Sequence, residues 1–167
     1  MIIRFAPSPR WQVETLIAML TIAGDHCDNG ILCMTVDHVS KLKHLHSFAT
    51  HKLFRLLRDE LPRVQIALMH VSIWCIGEYG DHLASPYGGG GDPENCYHEV
   101  SGAEILELLG AVLRSHLASE LTKSYVLTAL MKLSNHLDKS RIENTMLISR
   151  NAASSSLVFN QRMISPH

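Results

Sequence analysis

Apolar residues recur along this chain at the spacing of helix faces. The first example begins at Ser8-Pro9, which is a favourable helix start with serine as the cap and proline at the first helical position. Its apolar positions then fall on one helical face: Val13, Leu16, Ile17, Leu20 and Ala23. Gly24 can end this helix. The same reasoning predicts helices over about 30–40 and about 44–61, the second of which stops before Pro62.

The segment 63–83 is apolar on almost every side, and such a helix is usually covered on every side. We therefore expect it to be the most buried element, with Trp74 as a large core side chain. Gly77 and Gly80 each cost roughly 1 kcal/mol of helix propensity relative to alanine. We expect this loss of helix propensity to be offset by packing, because glycine lets a neighbouring helix approach closely.

Residues 84–100 contain the low-complexity stretch of the chain, with four consecutive glycines, Gly88 to Gly91. Such a run does not hold regular structure against its conformational entropy. A phosphate-binding loop would end in Gly-Lys-Ser/Thr, and that ending is missing. The sequence predicts a flexible, exposed linker over 84–100.

Helical patterning resumes after this linker. Ser101 and Glu104 form a capping-box pattern, which predicts a helix with Ile105, Leu108, Leu109, Val112 and Leu113 on one face. Thr122 is the predicted cap of the next helix, whose inward residues are Val126, Ala129, Leu130, Leu133 and Leu137. A weaker helix is predicted over about 139–149 and a short amphipathic piece over 157–164.

Seven or eight helices with mostly short connections, and without the alternation of strands, predict an all-α protein. Paired helices of this length match the unit of about 40 residues in HEAT and armadillo arrays. No internal repeat is strong enough to establish an array from periodicity alone, so a globular helical bundle stays open at this point. We expect one domain over residues 1–167.

Composition narrows the possible functions. The chain of 167 residues has 15 Lys plus Arg against 16 Asp plus Glu, and it therefore lacks the basic excess with which proteins neutralise nucleic-acid phosphates. The same balance argues against autonomous binding to an anionic membrane. No apolar run approaches the roughly 20 residues that span a bilayer, and the first residues lack a signal-peptide layout. We expect a cytoplasmic protein.

The best metal-like cluster is His26, Cys27, Cys33 and His38, but its spacing fits neither paired Cys-x-x-Cys ligands nor His-Glu-x-x-His. We interpret it as chance proximity and predict no metal and no cofactor. The four cysteines, which also include Cys75 and Cys96, are interpreted as buried free thiols in a reducing compartment.

Two further groups of polar residues were candidates for chemistry. His44, His46 and His51 lie near several lysines, and we expect a solvated face there. Below about pH 6 these histidines should become charged and the protein markedly basic. His70, Cys75 and Glu78 could imitate a nucleophile and its base, but the helix is expected to be buried and nothing supplies an oxyanion hole. We predict no catalytic residue and no enzyme, and expect Glu78 to bridge adjacent helices.

The stretch from Trp74 to Asp81, Trp-Cys-Ile-Gly-Glu-Tyr-Gly-Asp, resembles a signature of the gamma subunits of clathrin adaptor complexes. Three other passages agree with that family in order and spacing: Phe5 to Gly24, Tyr125 to Ser134, and Gln161-Arg162. The resemblance covers about residues 4–162. It is carried mainly by the two helical motifs.

This resemblance implies a right-handed α-solenoid of antiparallel helix pairs, as in the later part of an adaptin trunk without the clathrin-binding hinge and the appendage. It also implies a heterotetramer with a second large, a medium and a small subunit. Such a complex selects cargo for clathrin-coated vesicles on trans-Golgi and endosomal membranes, to which an Arf-family GTPase and phosphoinositides recruit it. The resemblance assigns no binding residue here. Two alternatives stay open: a free-standing helical-repeat interaction module, and an uncharacterised enzyme or metalloprotein.

Overall fold

Six α-helices carry the apolar stripes. In the computed structural model, which describes residues 7–23, 26, 29–87 and 97–134, they are α1 (Pro9–Ala23), α2 (Asn29–Lys41), α3 (His46–Glu60), α4 (Ile66–Tyr79), α5 (Gly102–Arg114) and α6 (Glu120–Leu133). Short 3-10 helices at Lys43–Leu45 and Gly80–Ala84 precede α3 and follow α4. No described helix is long and apolar enough to cross a membrane. The helices predicted near 139–149 and 157–164 lie outside the described residues.

Side-chain caps start three of these helices. The Ser8 hydroxyl accepts a hydrogen bond from the Trp11 amide at 3.1 Å, as the Ser-Pro start of α1 predicts. The capping box of Ser101 and Glu104 is confirmed at the start of α5. The predicted cap of α6 is wrong: Ser119 caps this helix by accepting from the Thr122 amide, while the Thr122 side chain is itself buried.

Consecutive helices pair in antiparallel fashion. Near the start of α1, Gln12 contacts His38 near the end of α2, with His38 Nε2 and Gln12 Oε1 2.5 Å apart. Likewise the ring of His46 at the start of α3 stacks on Tyr79 at the end of α4, with 3.8 Å between ring centroids. Short connections of this kind place each helix beside its predecessor.

Helices of successive pairs run parallel, as α4 and α6 show. His70 meets Thr122 by a hydrogen bond, and further along both helices Gly77 meets Ala129 and Gly80 meets Leu133. As the residue number increases along α4, the number of the contacted residue on α6 increases as well, so the two helices run parallel. Antiparallel pairs that stack through parallel helices form a HEAT/armadillo-like solenoid. The prediction of an all-α solenoid of antiparallel helix pairs is confirmed.

The centre of the core is α4, which packs against α1, α2, α3 and α6. Its buried apolar side chains are Leu68, Met69, Val71, Ile73, Cys75 and Ile76. The prediction that this segment is the most buried element agrees with these contacts. The expectation that Trp74 is a core side chain is wrong, because its indole is only partly buried and lies at the edge between the core and a surface groove.

The two ends of the predicted linker are ordered. The amides of Tyr87 and Tyr97 each donate to the other's carbonyl, at 3.0 and 2.8 Å, and the Val100 amide donates to the Leu83 carbonyl at 2.8 Å. Both tyrosines also pack against the core. The described residues between them and the ends of the segment, 84–86 and 98–99, are exposed, and the flexible linker over 84–100 stays a prediction. Residues 88–96, with the four glycines, lie outside the described residues.

Candidate interaction surface

The helices α4 and α6 approach each other closely at glycine. A Cβ atom added to Gly77 would lie 2.8 Å from the Ala129 Cα, which is backbone and does not move aside. At Gly80 an added Cβ would lie 2.5 Å from Leu133 Cδ2. The expectation that these glycines allow a neighbouring helix to approach is confirmed.

An apolar groove of about 170 Å³ runs beside this contact. It is lined by Trp74 and Gly77 of α4 and by Leu121, Ser124, Tyr125, Thr128, Ala129 and Lys132 of α6. Small residues at its centre let the two helices approach, and the larger rings of Trp74 and Tyr125 stand beside them. At one end Lys132 donates to the Glu78 carboxylate, so Glu78 bridges α4 and α6 as the sequence suggested.

Between its two ends the outer side of α6 exposes no charged residue, whereas Glu120 and Lys132 are exposed in its first and last turns. Leu121, Leu127 and Met131 are 59%, 40% and 68% exposed. Between Leu121 and Met131 the other exposed residues are Ser124 and Thr128. An exposed helix side with apolar residues and without charge is typical of a surface that another helix covers. We call these five residues the α6 face.

The outer side of α3 has the opposite character. Its exposed residues are Arg55, Arg58, Asp59 and Glu60, which are all charged. Asp59 accepts from Arg58 at 3.0 Å and lies 3.6 Å from Arg55. A side of this kind is stable in water, because its charges keep their hydration.

On α1 the outer side again lacks charge. Trp11 is 41% and Ile22 is 81% exposed, and Ala18 lies exposed between them. The first and last described helices therefore present apolar outer sides, whereas α3 between them presents charges. This distribution indicates contacts at both ends of the helix stack.

The histidines of α3 correct the prediction of a solvated face. His44 is exposed, but His46 and His51 are buried. His46 stacks on Tyr79, and its Nε2 lies 3.1 Å from the Val39 carbonyl oxygen. The neighbouring lysines suggested an exposed face, and the sequence did not show this burial because the tyrosines that cover both rings come from distant parts of the chain.

His70, Cys75 and Glu78 each have a separate structural role. The Nε2 of His70 lies 3.0 Å from Thr122 Oγ1, and its ring stacks on Tyr125 with the planes 5° apart. Burial raises the pKa of the Cys75 thiol, so this group stays protonated and is a poor nucleophile. Glu78 pairs with Lys132. The arrangement joins helices and does not form a nucleophile with its base.

The predicted metal-like cluster is not assembled among the described residues. His26 and Cys33 are exposed, and His38 contacts Gln12. Cys27 lies outside the described residues. No group of three metal-ligating side chains occurs within the described ranges. Of the predicted buried thiols, Cys75 is buried and Cys33 is not.

Acidification is expected to destabilise the α4–α6 contact through His70. Burial lowers the pKa of His70 below its ordinary value. Its contribution to stability is therefore fully present above about pH 6.5 and is lost as the pH falls below it, by at most about 1.4 kcal/mol at pH 5.5. Urea unfolding at the two pH values measures this loss.

A matched pair of variants isolates the contribution of His70. His70→Gln keeps an amide near the position of Nε2 without a titrating group, so its unfolding free energy should depend less on pH than that of the parent. His44→Asn, at an exposed position, should keep the parental dependence. An unchanged pH dependence in His70→Gln would contradict this interpretation.

Sequence analysis missed the groove and the α6 face. The sequence offered one signal for this face: three apolar residues fall outside the inward stripe of α6, namely Leu121, Leu127 and Met131. A leucine outside such a stripe is common on protein surfaces by itself. It gains meaning here because the structure places three exposed apolar residues on one side of α6.

Together the fold and these surfaces define a helical-repeat scaffold, whose terminal described helices are suited to contact further helices. The family model of the adaptin N-terminal region matches residues 1–164, and the chain belongs to this family.

Several relatives of this chain are gamma subunits of the AP-1 complex. AP-1 complex subunit gamma-like 2 of Homo sapiens is 37% identical over 151 residues, which cover 87% of this chain and 18% of that protein. The Mus musculus protein of the same name is 36% identical over 147 residues, with the same coverage of 87% and 18%. AP-1 complex subunit gamma of Dictyostelium discoideum is 29% identical over 141 residues, 84% of this chain and 16% of that protein. The chain thus spans less than a fifth of the length of these relatives.

Proposed function

We propose that this chain is a trunk segment of a gamma-type large subunit in a clathrin adaptor complex. Its function is to hold other subunits in fixed positions during vesicle-mediated protein transport between the trans-Golgi network and endosomes. The observation that carries this proposal is the similarity to AP-1 gamma subunits over 87% of the chain. It favours an adaptor over a free-standing interaction module.

The surfaces support a scaffold. Obligate interfaces typically bury more than about 2,000 Å² and are rich in apolar contacts. Exposed apolar side chains supply such contacts on both terminal described helices: Leu127 and Met131 on the α6 face, and Trp11 and Ile22 on α1. The charged outer side of α3, in contrast, stays exposed to solvent in the assembled complex.

The proposed direct partners are the second large, the medium and the small subunit of the complex. Clathrin, an Arf-family GTPase and cargo are reached indirectly, and the complex as a whole associates peripherally with Golgi and vesicle membranes. A non-catalytic role accords with the partners of His70 and Glu78, which use their polar groups to join α4 and α6.

A chimaera tests this function. In the human gamma-like 2 subunit, the matching segment is replaced by this chain, and the tagged chimaera is purified from cells for mass spectrometry. We expect recovery of the other adaptor subunits at the parental level. A folded chimaera that recovers none of them, while the parent recovers all, would contradict the proposal.

A pair of charge variants in the chimaera separates contact from folding. Leu127→Lys with Met131→Lys places charges on the α6 face, and recovery of partners should fall at least about tenfold, since an unpaired buried charge costs more than 1.4 kcal/mol. As the control, Arg55→Glu with Asp59→Arg inverts an exposed pair on α3 and should leave recovery unchanged. Circular dichroism of both variants verifies folding.

A further inference from the structure

Two tyrosines, one on each side of the undescribed residues 88–96, are joined by a backbone bridge. Tyr87 and Tyr97 exchange two backbone hydrogen bonds, and their ring centroids are 6.3 Å apart. Both rings lie against His51 of α3, at 6.3 Å and 5.6 Å between centroids. We call the two tyrosines and their backbone bridge the tyrosine clasp. His51 is the polar residue on which this clasp rests.

His51 is held in a single neutral form. Its ring is 2% exposed, and Nδ1 lies 2.8 Å from the Ser47 carbonyl oxygen. Because a carbonyl only accepts, Nδ1 carries the proton and Nε2 is left with its lone pair. Nε2 is buried and makes no hydrogen bond within the described residues. A second proton would therefore create a charge inside an aromatic packing, where burial opposes it and only the backbone at Ser47 and Ser85 favours it.

We propose that His51 makes the tyrosine clasp proton-sensitive: protonation of its Nε2 weakens the packing of Tyr87 and Tyr97 and opens the backbone bridge between them. The device requires no partner, and it is independent of the scaffold function proposed above.

Several cationic side chains lie around the aromatic packing that holds His51. Arg10 of α1 lies 4.5 Å from the ring centroid of Phe48, Lys52 lies 5.5 Å from it, and Phe48 itself contacts Tyr87. Arg55 and Arg58 of α3 line the cleft that His51 shares with Tyr97. His82 lies on the 3-10 helix after α4 and disfavours a charge on His51. The exposed His98 adjoins Tyr97.

The acids nearby are mostly engaged. Glu14 pairs with Arg10 at 3.2 Å, and Asp59 pairs with Arg58 and Arg55. Glu104 accepts from Ser101 in the capping box, and Glu99 is exposed to solvent. A protonated His51 thus meets no buried carboxylate among the described residues.

Burial is the main cause that lowers the pKa of His51, while the backbone at Ser47 and Ser85 acts in the opposite direction. A lowered pKa in the closed clasp means that the closed form is fully stable above about pH 6.5 and loses stability below it. If the ring stays neutral when closed and titrates normally when open, the open population rises up to about elevenfold at pH 5.5.

Hydrogen exchange of the whole chain measures this opening. We expect the amides of Tyr87, Tyr97 and Val100 to exchange several-fold faster at about pH 5.5 than at pH 7.5, after correction for intrinsic rates. In the His70→Gln background, which removes the expected acid sensitivity of α4, amides in the middle of α4 should not change by the same factor. Equal protection of the clasp at both pH values would overturn the proposal.

Substitution assigns the effect to His51. His51→Asn keeps an amide N–H where Nδ1 donates to Ser47, so the pH dependence of exchange should disappear, whereas exposed His44→Asn should retain it. A dependence that persists in a folded His51→Asn variant overturns the assignment. If that variant does not fold, NMR titration of His51 in the parent decides: a pKa at or above the ordinary value of about 6.5 rejects the proposal.

Discussion

Replacement of Ile76 by alanine is expected to lower the free energy of unfolding by about 2–5 kcal/mol. Ile76 is fully buried on α4, the helix that contacts most of the others. The substitution removes buried methylene and methyl groups and leaves a cavity among side chains that relax only partly. Urea unfolding followed by circular dichroism measures the change in the midpoint.

Trp74→Ala provides the comparison on the same helix. The sequence suggests that this substitution is the more damaging one, by around 3–5 kcal/mol for a buried aromatic. Since the indole is only partly buried and lines the groove, we now expect a loss of about 1–2 kcal/mol. A larger loss for Trp74→Ala than for Ile76→Ala would show that the core is centred elsewhere.

Gly77→Ala is expected to destabilise the protein by about 1–3 kcal/mol, although alanine is the better helix former by about 1 kcal/mol. The added Cβ meets the Ala129 Cα at 2.8 Å and the Ala129 Cβ at 2.9 Å. Because these atoms belong to the backbone or are fixed to it, α4 and α6 must move apart. The separation should also weaken the contact between His70 and Thr122.

Gly110→Ala is the matched control for this prediction. Gly110 lies in the interior of α5, and an added Cβ would come within 3.1 Å of Arg114 Nη1, the end of a flexible side chain. Arg114 can move away, so the gain in helix propensity should remain and stability should rise by up to about 1 kcal/mol. If both glycine variants changed stability in the same direction, the close approach at Gly77 would not be the cause.

The sequence alone determined most of the helices. Local signals sufficed for α1, where Ser8-Pro9 and the spacing of Val13, Leu16 and Ile17 set both the start and the inward side. The capping box at Ser101 did the same for α5. Such signals act within a few residues, because helix hydrogen bonds and caps connect near neighbours. The cap of α6 was misplaced, since Ser119 and Thr122 are both good capping residues and only their geometry distinguishes them.

Only the tertiary structure decided the burial of histidines and the position of the contact surfaces. His51 is covered by Tyr97, and His70 by Tyr125, across separations that no local spacing encodes. The same holds for the close contact at Gly77. The pair Gly77 and Gly80 suggested that another helix approaches here, but only the parallel packing of α4 and α6 identifies Ala129 as the residue that Gly77 meets. Helix formation depends on neighbours along the chain, whereas burial depends on which helices meet, and that is settled by the packing of the whole core.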